Sequence, residues 1–170
     1  TLATTEDQVV EGDERLWIIL SNSSNASVDV SDNASVTIND DDSAGFTLSK
    51  REALVAETGT TDTFTVQLTS EPIANVTLTL NDNDSGNEVL YPSSVVFSTG
   101  NWSTAQTITL TGLDDNIVDD NQTTLLTLNP STSADSNYSG LSTQTVTVTT
   151  TDNDTSEITL DNVTVSEGAG

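Results

Sequence analysis

The chain has 170 residues, with 27 Asp plus Glu against 3 Lys plus Arg, a formal net charge of −24, and no Cys, His or Met. That composition excludes thiol chemistry, imidazole catalysis and a thiolate or imidazole zinc site within the sequence. It also sets aside nucleic acid and anionic membrane as partners, since both repel such a charge. The apolar fraction is 33%, and apolar residues alternate with Thr and Ser, a pattern of half-buried strands rather than of a disordered acidic tail. No apolar run approaches the length of a membrane-spanning helix, and no charged-then-apolar signal sequence opens the chain.

The first segment runs through Val10-Glu11-Gly12-Asp13 into the apolar stretch Leu16-Trp17-Ile18-Ile19-Leu20 and closes on Asp40-Asp41-Asp42. Strands are then predicted over 45–48 and 53–56, the second ending at Glu57 of Val55-Ala56-Glu57-Thr58-Gly59. Residues 63–68, 76–80 and 108–110 alternate cleanly, and 94–98, 123–129 and 144–150 are further strands. Asn, Asp, Gly and Pro clusters separate them, and no segment carries helical apolar spacing over three turns. The expected fold is therefore an all-β antiparallel sandwich. Trp17, Phe64, Phe97 and Trp102 are expected to pack in its core or at its rim.

The chain resembles itself at a period of roughly 110 residues, the size of one sandwich. Asp40-Asp41-Asp42 returns as Asp152-Asn153-Asp154. Val10-Glu11-Gly12-Asp13 returns as Val118-Asp119-Asp120-Asn121, ahead of Leu125-Leu126-Thr127-Leu128. Beyond each triplet, Gly45-Phe46-Thr47-Leu48 corresponds to Glu157-Ile158-Thr159-Leu160, and Val55-Ala56-Glu57 to Val165-Ser166-Glu167. Residues 1–42 thus read as the C-terminal part of one repeat, 43–154 as a complete repeat, and 155–170 as the first strands of the next. The chain has the form of a window on a longer array.

The acids collect in the connections, Asp82 and Asp84 in one loop and the rest at three places: Glu57 at a strand end, Asp114, Asp115, Asp119 and Asp120 in a second loop, and Asp152 and Asp154 at the repeat's exit. Alternate connections of an antiparallel sandwich return to one pole, so these three places are expected to meet. Asp and Asn also favour turns for their local hydrogen bonds, but turn chemistry alone does not require the cluster to recur in each repeat. Converging carboxylates raise one another's pKa values, and a divalent ion turns that repulsion into coordination. Calcium, which takes about six to eight hard oxygen ligands, suits such a set.

The segments Val55-Ala56-Glu57-Thr58-Gly59, Asp114-Asp115-Asn116-Ile117-Val118-Asp119-Asp120 and Asp152-Asn153-Asp154 resemble the Calx-beta pattern. The resemblance implies a seven-stranded, immunoglobulin-like antiparallel sandwich, repeated, with Ca2+ bound at one pole. Position by position it implicates Glu57, Asp114, Asp115, Asp119, Asp120, Asp152 and Asp154, and in the first repeat Asp7, Glu11, Asp13, Glu14, Asp40, Asp41 and Asp42. Gln122 stands where an acid is common in the family, and Asn153 where the triplet's middle Asp is. Both departures imply fewer or weaker ions in the second site than in the first.

Candidate glycosylation acceptors of the form Asn-x-Ser/Thr occur at Asn22, Asn25, Asn33, Asn75, Asn83, Asn101, Asn121, Asn137, Asn153 and Asn162. The leading expectation is a calcium-stiffened structural repeat of an extracellular surface protein, adhesin or fibre. Its partners would be neighbouring repeats of the same chain and, in a fibre, identical chains, with no nucleic acid and no membrane insertion. A regulatory calcium sensor and a filament subunit that exchanges strands are the alternatives. No enzymatic activity is expected, because carboxylates in exposed turns without pocket-forming insertions make poor general acids and bases.

Overall fold

The computed structural model describes residues 3–19, 33–83, 88–131, 134–160 and 167–168. An antiparallel hairpin opens it, β1 (Glu14–Ile19) on β2 (Asn33–Ile38). Then come β3 (Phe46–Leu48), β4 (Glu52–Ala56), β5 (Thr61–Leu68), β6 (Val76–Asn81), β7 (Val89–Leu90), β8 (Ser94–Phe97), β9 (Gln106–Gly112) and β10 (Gln122–Pro130). A single helical turn, α1 (Ser136–Ser139), precedes the last strand, β11 (Gln144–Thr151).

From β3 onward the strands form two sheets, one in the order β4-β11-β10-β6-β8 and the other β3-β5-β9-β7. Two extended runs change sheet partway. One leaves β3 for β4 across Ser49–Arg51, and the other leaves β7 for β8 across Tyr91–Ser93, where Pro92 lacks the N–H a ladder needs. Nine hydrogen-bonded segments are thus seven extended runs. All pairings are antiparallel except β4 with β11, which runs parallel from Glu52↔Thr147 to Ala56↔Thr151.

Alternation decides which side chains enter the core. In β5, Phe64, Val66 and Leu68 are buried while Thr63 and Thr65 face out toward Thr109 and Thr107 of β9. Leu126 and Leu128 of β10 meet Val146 and Val148 of β11 and Leu78 and Leu80 of β6 in the same interior. Every buried apolar residue of this core lies between Phe46 and Val148, so the unit carries its own core. Tyr138, on α1, is also inside it; its hydroxyl donates to the Ser70 carbonyl at 2.6 Å. Asp135 caps the turn, accepting from the Asn137 N–H at 2.9 Å and from the Ile73 N–H at 2.9 Å. One turn is too short to show a 3.6-residue period, and the sequence therefore did not announce it.

The aromatic expectations divide. Phe64 and Phe97 are fully buried and Trp102 packs against the core. Trp17 does not belong with them. It is 56% exposed, on the outward side of β1, with the Arg15 guanidinium 5.1 Å from its ring centroid. Alternation within β1 sends Leu16 and Ile18 to one face and Trp17 to the other. Leu16 and Ile18 are themselves exposed, at 46% and 38%. Their counterparts in β10, Thr124 and Leu126, are sealed under the second sheet.

Candidate metal centre

Strand pairing brings the acids of 43–154 to one pole. Because β4 and β11 run parallel and end together at Ala56↔Thr151, Glu57 and Asp152 leave the sheet side by side. The Glu57 N–H donates to the Thr151 carbonyl at 3.2 Å. β10 enters antiparallel to β11, with Gln122 opposite Thr150, so the 113–121 loop arrives at the same end. β9 leaves there too: the Gly112 N–H donates to the Thr60 carbonyl at 3.0 Å.

Carboxylate oxygens of Glu57, Asp119 and Asp152 lie within 4.8 Å of one another. Glu57 is 2% exposed, and its Oε2 accepts the Asn153 N–H at 3.2 Å. Burial, then the charges of Asp152, Asp115 and Asp154, push its pKa up. Asp154 is raised for the same reasons, burial first and then Asp152, Asp114, Asp115 and Asp119. Its Oδ2 is buried and has no hydrogen-bond partner. A buried anionic oxygen without a donor is costly unless a cation meets it. The chain's 3 basic residues are all engaged elsewhere: Lys50 pairs with Asp62, Arg51 donates to Gln144, and Arg15 lies over Trp17.

Backbone N–H groups hold the loop. Asp152 Oδ2 accepts from Asp119 N at 3.1 Å and Asp120 N at 3.0 Å, and its Oδ1 accepts from Asp154 N at 2.6 Å. Asp115 Oδ1 accepts from Ile117 N at 2.7 Å, and Asp114 Oδ1 from the Asn153 carboxamide at 3.0 Å. Asp120 sits at φ +63°, a left-handed conformation that disfavours side chains.

Residues 1–42 carry a second loop with the same backbone N–H bonds. Asp40 Oδ2 accepts from Glu11 N at 2.9 Å and Gly12 N at 2.8 Å, and its Oδ1 from Asp42 N at 3.0 Å. Asp7 Oδ1 accepts from Val9 N at 3.0 Å, as Asp115 does from Ile117. Gly12, at φ +86°, occupies the position of Asp120. The three backbone donors hold the Asp40 pKa down, while burial and then Asp40 and Asp41 raise that of Asp42. Glu6, Asp7, Glu11, Glu14, Asp40, Asp41 and Asp42 border a cavity of about 360 Å³. Asp13 turns away to accept the Asp40 N–H at 3.2 Å.

Two contributors escaped the sequence reading. Glu6, whose pKa Asp41 raises, corresponds to Asp114 once the repeats are superposed on Val10 and Val118. Asn121 accepts the Asp152 N–H at 3.3 Å through Oδ1, as Asp13 does for Asp40. The same superposition signals both.

Among the candidate glycan acceptors, Asn137, Asn153 and Asn101 already donate through the amide nitrogen a sugar would take, to Val10, Asp114 and Val96 respectively. Asn83 and Asn121 are exposed, with Oδ1 accepting from Leu125 N and Asp152 N, and Asn75 is exposed. Asn33 begins β2. Asn22, Asn25 and Asn162 lie outside the described residues, as do residues 161–166 of the third segment.

A two-layer antiparallel sandwich of this kind is an immunoglobulin-like β-sandwich. The chain belongs to the Calx-beta family: the model of the Calx-beta domain matches residues 1–42 and 40–154. No curated protein sequence matches it. Among solved structures, the periplasmic chaperone SfaE is similar with a TM-score of 0.50 and 7% identity, over 64% of this chain and 58% of that one. A chaperone–tip adhesion subunit complex, CsuC–CsuE of Acinetobacter baumannii, gives 0.48 and 12%, over 65% and 58%. The apo-form Calx CBD1 domain gives 0.47 and 15%, over 64% of this chain and 96% of that domain. This chain spans 58% of each of the first two. No helix among the described residues is long and apolar enough to cross a membrane.

Proposed function

We propose that the chain is a piece of an extracellular surface array whose Calx-beta repeats bind Ca2+ and are stiffened by it. The observation that carries this is the triangle of Glu57, Asp119 and Asp152 oxygens within 4.8 Å, beside the unpartnered, buried Asp154 Oδ2. The donor set is all oxygen and all anionic, which suits calcium rather than a soft metal. Glu57, Asp119, Asp152 and Asp154 would hold an ion, with Asp114 and Asp115 beside them. The ion's role is structural: it neutralises the pole and ties the β4 exit, the 113–121 loop and the β11 exit together. In the first repeat Asp7, Glu11, Asp40 and Asp42, with Glu6, would serve a second centre. The role is that of a spacer, not an enzyme.

The same reading assigns 1–42 to the end of one repeat, 43–154 to a whole one and 155–170 to the start of another. It gives the exposed Leu16 and Ile18 a purpose, since the matching face of β10 and β11 is core. Extracellular modules bind calcium with Kd of about 0.1–1 mM, matched to calcium outside cells. Thermal melting in millimolar Ca2+ and in excess chelator, at matched ionic strength, tests it. A rise of many degrees with Ca2+ is expected; identical midpoints would refute calcium stiffening. Calorimetric titration supplies the affinity, and a sub-micromolar Kd would replace the spacer with a sensor.

A further inference from the structure

The loop that carries the acids also carries an apolar tip, and the two copies of that tip meet different surroundings. In the second repeat Ile117 and Val118 project from the pole, 58% and 51% exposed. Their counterparts in the first repeat are Val9 and Val10, in a loop with the same backbone hydrogen bonds to Asp7 and Asp40. Those residues are not bare. Val9 forms a parallel bridge with Glu71, the Glu71 N–H donates to the Gln8 carbonyl at 2.6 Å, and the Asn137 carboxamide donates to the Val10 carbonyl at 3.0 Å. Both valines are half-buried. The first repeat therefore docks its tip on the far end of the sandwich that follows it.

We propose that Ile117 and Val118 are the docking tip for a following repeat of the same kind, received by the positions of that repeat equivalent to Glu71 and Asn137. The sequence supports this occupant. Three residues, Ser43-Ala44-Gly45, separate Asp42 from Phe46, and three, Thr155-Ser156-Glu157, separate Asp154 from Ile158. A repeat beginning at Ile158 thus starts at the same distance from its acidic triplet as the one beginning at Phe46. Ile158 and Leu160 are 87% and 91% exposed here, as the first strand of such a repeat would be before its neighbours are added. Two backbone hydrogen-bonding groups and one carboxamide then fix the register of every junction, with the tip's side chains filling the gap between repeats. The proposal draws on the array reading only for the existence of a further repeat.

The test is a tandem chain, residues 1–154 followed directly by a second copy of 43–154, which repeats the Asp–Ser junction of Asp42 and Ser43. The chain has no Cys, so engineered pairs are unambiguous. Adjacent strands lie about 4.8 Å apart, within disulfide reach. Val9→Cys with Glu71→Cys in the first copy reports the observed junction; Ile117→Cys with Glu71→Cys in the second copy reports the proposed one. Mild oxidation is expected to close both pairs to within a few-fold of the same rate, and Asn137→Ala in the second copy to slow the second closure several-fold. Closure at Val9 without closure at Ile117 overturns the proposal, and so does failure at Val9, which would remove its template. The calcium melting experiment is read separately, so an unchanged midpoint with intact cross-linking would refute stiffening by calcium and leave the docking in place.

Discussion

Replacing Glu57 with Gln should change the sign of its effect with calcium. Gln keeps the shape and can still accept the Asn153 N–H, so the perturbation is the loss of one charge. Without an ion, that charge is buried at 2% exposure among Asp152, Asp115 and Asp154, with no basic side chain to answer it. Removing it should raise the melting midpoint in chelator. With calcium, the same carboxylate is a ligand. An ion at a hundredfold excess over its Kd stabilises the folded state by about 2.7 kcal/mol. At about 4 °C per kcal/mol for a domain of this size, that is a rise of roughly 10 °C per ion. A tenfold weaker site forfeits about 1.4 kcal/mol of it, or roughly 5 °C. Differential scanning calorimetry of both proteins, in chelator and in calcium, with NaCl matching ionic strength, measures all four midpoints. The variant should melt above the wild type in chelator and show the smaller calcium increment. Equal calcium increments would refute the assignment of Glu57 to the ion. A variant that melts lower in chelator would refute the unanswered buried charge at Glu57.

Acid should have a related effect. The folded-state pKa values of Glu57 and Asp154 lie above their ordinary 4.5 and 3.8, so the folded state binds more protons than the unfolded one. In chelator, the wild type should therefore gain stability relative to Glu57→Gln as pH falls through the raised values toward the ordinary ones, a comparison in which the lowered Asp40 and Asp62 cancel, and calcium should flatten that gain; a difference constant with pH would contradict it. Asp120→Gly removes a side chain from φ +63° and should raise the chelator midpoint by about 1 kcal/mol equivalent, measured by urea unfolding. Gly112→Ala should be destabilising by about 1–3 kcal/mol or more, because its Cβ would stand 2.1 Å from the Ala56 carbonyl oxygen; a neutral result would mean the close approach is absent. Tyr138→Phe strands the Ser70 groups its hydroxyl serves and should lose about 1–3 kcal/mol in the same unfolding assay.

The strands were legible because period-2 alternation is local. Phe64, Val66 and Leu68 declare their face without reference to the rest of the chain. The pole was legible only through the repeat: one Asp in a turn is ordinary, whereas Asp40 and Asp152 in matching contexts are not. What alternation cannot supply is pairing. The parallel partnership of β4 and β11, which sets Glu57 beside Asp152, is a contact across most of the domain that nothing in either strand encodes alone. Trp17 differs for a similar reason: a large aromatic in an apolar run suggests burial, but among the described residues no sheet covers either face of β1, and Leu16 and Ile18 are exposed along with it. Asn121 was read only as a sugar acceptor, because its carboxamide's partner, the Asp152 N–H, is distant in sequence.

The parallel pairing of β4 with β11 has a mechanical consequence. These are strands near the entrance and the exit of the unit, lying side by side over Glu52↔Thr147 to Ala56↔Thr151. Tension entering near Ser43 and leaving near Asp154 pulls them lengthwise past each other, loading several cross-strand bonds in shear at once instead of peeling them one by one. A tether made of such units would resist stretching better than one whose end strands part a bond at a time.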